Sequence, residues 1–462
     1  MFENVIAQSA TTALASDIAS GVLPPSILLS GPPASGKGTA ALELARVLSC
    51  EMIEGRWNCP CASCERHRAL VHPDLLLVGP RAFSAEIAAS AAAFLRDPST
   101  AARFLFLRAC RKLLARFSPV LWEGEEAKLG KAASLAVSLG EDIEEIETTV
   151  AGMASGKIAG NAALAKFTES ARQTAIKLES EGVADSTPIA HIRRASYWAR
   201  MAPSGRRRVV VVENADRMQE GARNALLKIL EEPPATTSLV LTSARRGAMM
   251  PTILSRVRTY PFVLRDQEAE RDVVRRVFRD TAAAEASAVP SAAGFLVSRY
   301  LDSFQPVPPD SLDAAAAFFV SSVAAASLSE ARRRNAGSTP AVIVSLGRSS
   351  APRAEAGGLG RPLADPRSAC ARTAEAAGKF EPRSLFRPFL DGVLRYAALP
   401  LRDGTAGPSA AALASDWSMA VRSADEAVAV YNQSPALALE RLFHELATLS
   451  SAARNFGRTA TT

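Results

Sequence analysis

Two groups of residues in this 462-residue sequence have the types and spacing to do chemistry. The first is "GPPASGKGTAALELA", residues 31–45, where Gly31 is followed after four residues by Gly36-Lys37. A glycine loop of this spacing aims backbone N–H groups and a helix N-terminus at phosphate oxygens, and its lysine neutralises them. Gly31, Ser35, Gly36, Lys37, Gly38 and Thr39 are therefore the candidate nucleotide-binding residues. The position after the lysine ordinarily supplies a Ser or Thr hydroxyl to Mg²⁺, and here it is Gly38. The loop keeps the means to hold ATP or ADP, weakly if at all, and Thr39 can still touch a phosphate. The direct metal ligand is gone.

The second group is Cys50, Cys59, Cys61 and Cys64, spaced C-x8-C-x-C-x2-C. Four thiolates make a closed tetrahedral structural zinc site with no open position for catalysis. The N-terminus carries Glu3 and Asp17 and no basic leader, so a signal peptide is not expected. In such a chain a cysteine cluster reads as metal before disulfide. Pro60 alone separates Cys59 from Cys61, a tight link, and His67 lies near enough in sequence to substitute as a ligand. Cys110 and Cys370 are isolated.

The elements around the loop fit it. "SILLS" (26–30) reads as a strand entering the loop, and "GTAALELARVLSC" (38–50) as the helix leaving it. "HPDLLLV" (72–78), "RRRVVVVENADRM" (206–218) and "TSLVLTSA" (237–244) read as further strands, the valine run being of the kind buried on both faces. Between the last two, Ala222, Ala225, Leu226, Ile229 and Leu230 share one helix face, which Pro233-Pro234 ends. Alternating strands and helices predict an α/β fold with a parallel sheet.

Residues 80–185 depart from that alternation. They carry helical periodicity in "TAARFLFLRACRKLLARF" (100–117) and an acidic patch at 140–147, and they read as a helical insertion. Past residue 265 only "AVIVSL" (341–346) suggests a strand, weakly, and the remainder reads as helices. The stretch 335–380 is rich in Gly, Ser, Pro, Ala and Arg, so a disordered loop is expected there.

Composition narrows the classes. Apolar residues make up 48% and aromatics 6%, which favours helix-on-helix packing. No uninterrupted run of 18 apolar residues occurs, so no membrane partner is expected and the cytoplasm is the default location. The formal charge of +7 is compatible with a nucleic-acid partner, although the arginines are spread along the chain.

On the loop alone, Gly36-Lys37-Gly38-Thr39 resembles the "GxPGxGKGT" loop of adenylate kinases, and a nucleoside monophosphate kinase is one reading. A wider resemblance comes from "ENADRMQEGARNALLKILEEPP" (213–234), which is similar to the Walker B region "DEADRMxxxAxNALLKxLEEPP" of bacterial clamp-loader subunits. "FENVIAQ" near the start, "HPD" after the cysteines and "PTILSRVRTYPF" (251–262) resemble other segments of that family. The resemblance is to the gamma/tau and delta-prime subunits of DNA polymerase III, which are AAA+ proteins, and covers residues 1–80 and 185–265. It implies an AAA+ P-loop domain over 1–264, with a zinc module at about 50–64 and the insertion at about 80–185. A helical lid over 265–305 and an all-α collar domain over 306–462 would follow.

The same resemblance assigns roles. The family's Asp-Glu pair, which holds Mg²⁺ through water and polarises the attacking water, is replaced by Glu213 and Asn214. Asn214 cannot accept a proton, so the general base is missing, and Glu213 is a strand-end carboxylate free to pair with Lys37. Ser255-Arg256 matches the family's Ser-Arg-Cys motif, whose arginine serves a neighbouring subunit's γ-phosphate as a finger in trans. A retained finger beside a degraded site is the delta-prime pattern. The implied partners are the gamma/tau and delta subunits, the sliding clamp and primed DNA, with an ATP-hydrolysing gamma/tau type as the alternative.

Overall fold

Runs of branched apolar residues form the strands. In the computed structural model these are β1 (Ser26–Ser30), β2 (Leu75–Val78), β3 (Arg208–Val212), β4 (Thr237–Ser243) and β5 (Arg258–Pro261). The structure describes residues 1–452 apart from 53–54, 155–160, 286–294, 334–340, 382, 403–407, 430 and 432. All pairings are parallel, and the sheet order is β2-β3-β4-β1-β5. Register sets Leu28 opposite Leu241 and Thr259, and Val210 opposite Leu76 and Leu239.

Alternate residues of each strand face opposite layers. Leu28, Val210, Val212 and Leu241 pack with Ile192, Trp198, Leu226 and Ile229 from the helices Ile189–Trp198 and Glu220–Glu231. Ile27, Leu29, Val209 and Val211 pack on the other face with Leu14, Ala41 and Leu44. Each such side chain contributes about 1.5–3 kcal/mol by leaving water. The sheet therefore rigidly fixes the carboxyl ends of β1 and β3, where ligands of open parallel sheets bind.

Between β2 and β3 the chain makes the helices Ser84–Arg96, Thr100–Leu114, Lys131–Ala154 and Asn161–Gly182. They enclose a core of their own, including Phe94, Phe106, Leu113, Leu139, Ile146 and Leu178. Ser99 caps the second helix by accepting from Ala102 N–H, and a 3₁₀ turn, Ala115–Phe117, follows that helix. After β5 come the helices Gln267–Arg276, Thr281–Glu285 and Val297–Asp302.

The chain divides into two units, Met1–Phe304 and Gln305–Thr462. The described part of the second is helical, with Phe319, Phe389, Phe443 and Trp417 at its centre. The weak strand expected at 341–346 is instead the start of a helix, Ala341–Ala356. The loop expected over 335–380 is also corrected: residues 341–356 and 366–376 are helical, and 335–340 lie outside the described residues. Ile343, Leu346, Ala369 and Cys370 are buried in the unit's core, so tertiary packing overrides a loop-like composition. Within the helix Pro309–Arg333, the stretch Pro309–Glu330 is long and apolar enough to cross a membrane by length and composition, but 72% of its apolar window is buried in this core.

Candidate functional site

The loop follows β1, and its geometry depends on its glycines. A Cβ on Gly31 would collide with the Phe262 carbonyl oxygen, and Gly36 has φ +94°, a left-handed conformation that glycine adopts without strain. Ala34 also lies in that region, at φ +57°, where a Cβ costs roughly 1–2 kcal/mol. Arg265 offsets this by donating to the Ala34 carbonyl at 3.0 Å and the Ser35 carbonyl at 2.9 Å, and it pairs with Glu270. Lys37 is buried, and its ammonium donates to the Gly31 and Pro32 carbonyls and to Ser35 Oγ at 2.7, 2.5 and 3.2 Å. Burial lowers its pKa to about 8, partly opposed by the Asp216 carboxylate. Thr39 is exposed.

At the end of β3, Glu213 does not pair with Lys37. Its Oε2 accepts from Arg116 Nη2, delivered by the 3₁₀ turn Ala115–Phe117 between β2 and β3. Its Oε1 faces the loop, 3.3 Å from where a Cβ on Gly38 would stand. Burial alone would raise the Glu213 carboxyl, but the charges of Arg116 and Lys112 outweigh it and hold the group below its usual range. Arg116 is 3% exposed and lies 5.2 Å from the Phe83 ring. Its Nε and Nη1 have no hydrogen-bond partner among the described residues.

Asn214 adopts a left-handed conformation that asparagine tolerates, and its N–H donates to Thr242 Oγ1 at 3.0 Å. Asp216, which sequence reasoning passed over, is buried and accepts from Ala244 N–H at 3.2 Å. These residues do not fit a magnesium ion. Gly38 offers no side-chain oxygen, and the adjacent carboxylate is committed to a guanidinium, whereas Mg²⁺ demands near-ideal octahedral oxygen ligands.

The cysteines come together. Cys50, Cys59, Cys61 and Cys64 place all four sulfurs within 4.8 Å of one another, and Cys50 and Cys59 Sγ are 3.6 Å apart. Tetrahedral zinc with Zn–S bonds of about 2.3 Å requires sulfurs about 3.8 Å apart. The single-residue Pro60 link is thus no obstacle. Cys61 is the residue before the helix Ala62–Arg68, and its sulfur accepts from Cys64 N–H at 3.4 Å. Arg46 donates to Cys64 Sγ at 3.1 Å and is itself held by buried Glu43. His67 is not part of this cluster; it stacks on His72 with ring centres 4.0 Å apart.

Arg256 lies apart from the loop in its contacts. It is exposed, pairs with Glu231 at 2.8 Å and donates to the Thr252 carbonyl at 2.8 Å. Val257 beside it is buried, as a packing residue.

A family model described as "DNA polymerase III, delta subunit" matches residues 6–98 and 159–265. The skipped segment, 99–158, is shorter than the insertion of 80–185 expected from sequence, and it contains Arg116. The DNA polymerase III subunit delta' of Pseudomonas aeruginosa is 45% identical over 60 residues, covering 13% of this chain and 18% of that protein. The subunit delta' of Bacillus subtilis is 36% identical over 73 residues, covering 14% and 22%. The subunit gamma/tau of Mycobacterium tuberculosis is 33% identical over 98 residues, covering 21% and 16%. The matched stretches thus span less than a quarter of the length of these relatives. Among solved structures, a DNA polymerase III gamma subunit-related protein from Thermotoga maritima aligns with 58% of this chain and 81% of its own, at 19% identity and a TM-score of 0.23. Over these stretches the chain is similar to DNA polymerase III clamp-loader subunits, with matches to both the delta-prime and gamma/tau kinds.

Proposed function

We propose that this relative of the clamp-loader subunits acts as a delta-prime-type stator of DNA polymerase III. It hydrolyses ATP weakly or not at all itself, packs against an ATP-hydrolysing gamma/tau neighbour, supplies Arg256 to that neighbour's γ-phosphate, and helps place the sliding clamp on primed DNA together with the delta subunit. One observation carries the reading: Glu213, beside Gly38, is spent on an ion pair with Arg116. With no metal oxygen at Gly38 and no base at Asn214, the chain lacks what phosphoryl transfer needs. The surface pair with Glu231 does not tie Arg256 down, since exposed pairs are worth about 0–1 kcal/mol. In the same proposal residues 265–305 form the lid, 306–462 the collar, and the four cysteines hold a structural zinc. The monophosphate-kinase reading gains nothing beyond the loop, because the resemblance extends through residues 159–265.

The test has two parts. The isolated chain should show no Mg²⁺-dependent ATP turnover; robust hydrolysis would favour the gamma/tau type. The chain should also co-purify with gamma/tau and delta, and Arg256→Ala should lower the assembled loader's DNA-stimulated ATPase about 10³-fold or more if the finger acts in full. An unchanged rate disposes of the finger.

A further inference from the structure

We infer that Arg116 stands in for the divalent cation of the loop, so that the site binds the polyphosphate of a nucleoside di- or triphosphate without Mg²⁺. The delta-prime reading needs no nucleotide on this loop, so the inference goes beyond it. The argument begins with Glu213, which bridges two elements: Oε1 lies against Gly38, and Oε2 accepts from Arg116. The Glu213 carboxylate thus stands between the guanidinium and position 38 of the phosphate loop.

The environment of Arg116 points the same way. It is buried, at 3% exposure, yet Nε and Nη1 have no partner among the described residues. Buried charged N–H groups are rarely left unpaired, and an arginine fork matches phosphate oxygens in geometry as well as charge. Glu213 uses only part of the fork. Lys37 and the N-terminus of the helix Lys37–Ser49 supply the rest of an anion site, and a fixed guanidinium keeps its charge without a dissociable ion. The segment that delivers Arg116 lies in the stretch that the family model skips.

The experiment measures ADP and ATP binding to the full chain by calorimetry, in Mg²⁺ and in EDTA. The expected affinities agree within about twofold between the two conditions, and Arg116→Gln weakens both by about tenfold or more while Arg116→Lys restores part of the loss. Affinity that rises tenfold or more with Mg²⁺ overturns the inference, as does wild-type binding by a folded Arg116→Gln chain. Absence of ADP and ATP binding in both conditions also overturns it and leaves the stator role standing. The wild-type comparison requires no variant, so a chain that fails to fold does not leave the question open. Co-purification with gamma/tau and delta tests the proposed function separately.

Discussion

Arg116 and Glu213, 97 residues apart in sequence, meet in a largely buried ion pair that joins the segment between β2 and β3 to the residue that ends β3, beside the phosphate loop. Removing either partner leaves the other as a buried unpaired charge. Arg116→Leu or Glu213→Leu should each destabilise the first unit by about 3–5 kcal/mol. The double variant Arg116→Leu/Glu213→Leu should cost clearly less than the two single losses added together. Urea unfolding of the four chains in a double-mutant cycle measures the difference, and additive losses would show that the pair is not energetically coupled.

The cysteine cluster makes a prediction about metal. The purified chain should contain one zinc, and Cys64→Ser should lose it. Arg46→Met should release zinc to a competing chelator about 10–100-fold more readily, because the guanidinium at Cys64 Sγ offsets the charge of four thiolates. Wild-type retention by Arg46→Met would remove that role.

Repairing the nucleotide site by its missing residues should fail. Gly38→Ser and Asn214→Glu together should give no Mg²⁺-dependent phosphate release, because Arg116 still claims the Glu213 carboxylate. A glutamate in place of Asn214 would also sit in a left-handed conformation at a cost of about 1–2 kcal/mol. Turnover by this double variant would show that the guanidinium does not exclude the metal.

Stability should fall in mild acid through His191. Burial, reinforced by Arg194, lowers its pKa to about 4, and the ring packs edge-on against Trp122. Below the ordinary value of about 6.5 the unfolded chain takes up a proton that the folded chain refuses. The stability lost between pH 6.5 and 4 is about 3 kcal/mol from this group. His191→Phe should reduce the drop in urea midpoint between pH 7 and 4.5 by a matching amount; an unaltered drop would assign it elsewhere.

Legibility follows the range of the physics. β1, β3 and β4 can be read because strands buried on both faces are continuous apolar runs. β5 cannot, since "RTYP" is an edge strand whose side chains are mostly outside the core. The helices at 341–356 and 366–376 are hidden by Pro352 and by many small residues whose burial depends on distant aromatic side chains. In the site, the loop and the cysteines have fixed local spacings, and both are visible in the sequence. Arg116 has no such signal: it is one arginine in the basic stretch 100–117, and only folding brings it to Glu213.

The placement of Glu213 Oε1 beside position 38 also restricts mutational paths. A hydroxyl restored at position 38 would meet a carboxylate already facing that space, and Glu213→Asp would shorten the reach to Arg116. Loss of Arg116 would strand a buried negative charge. A return toward a hydrolytic site that begins with the loss of Arg116 thus passes through a less stable chain, and joint exchange of Arg116 and Glu213 avoids that valley.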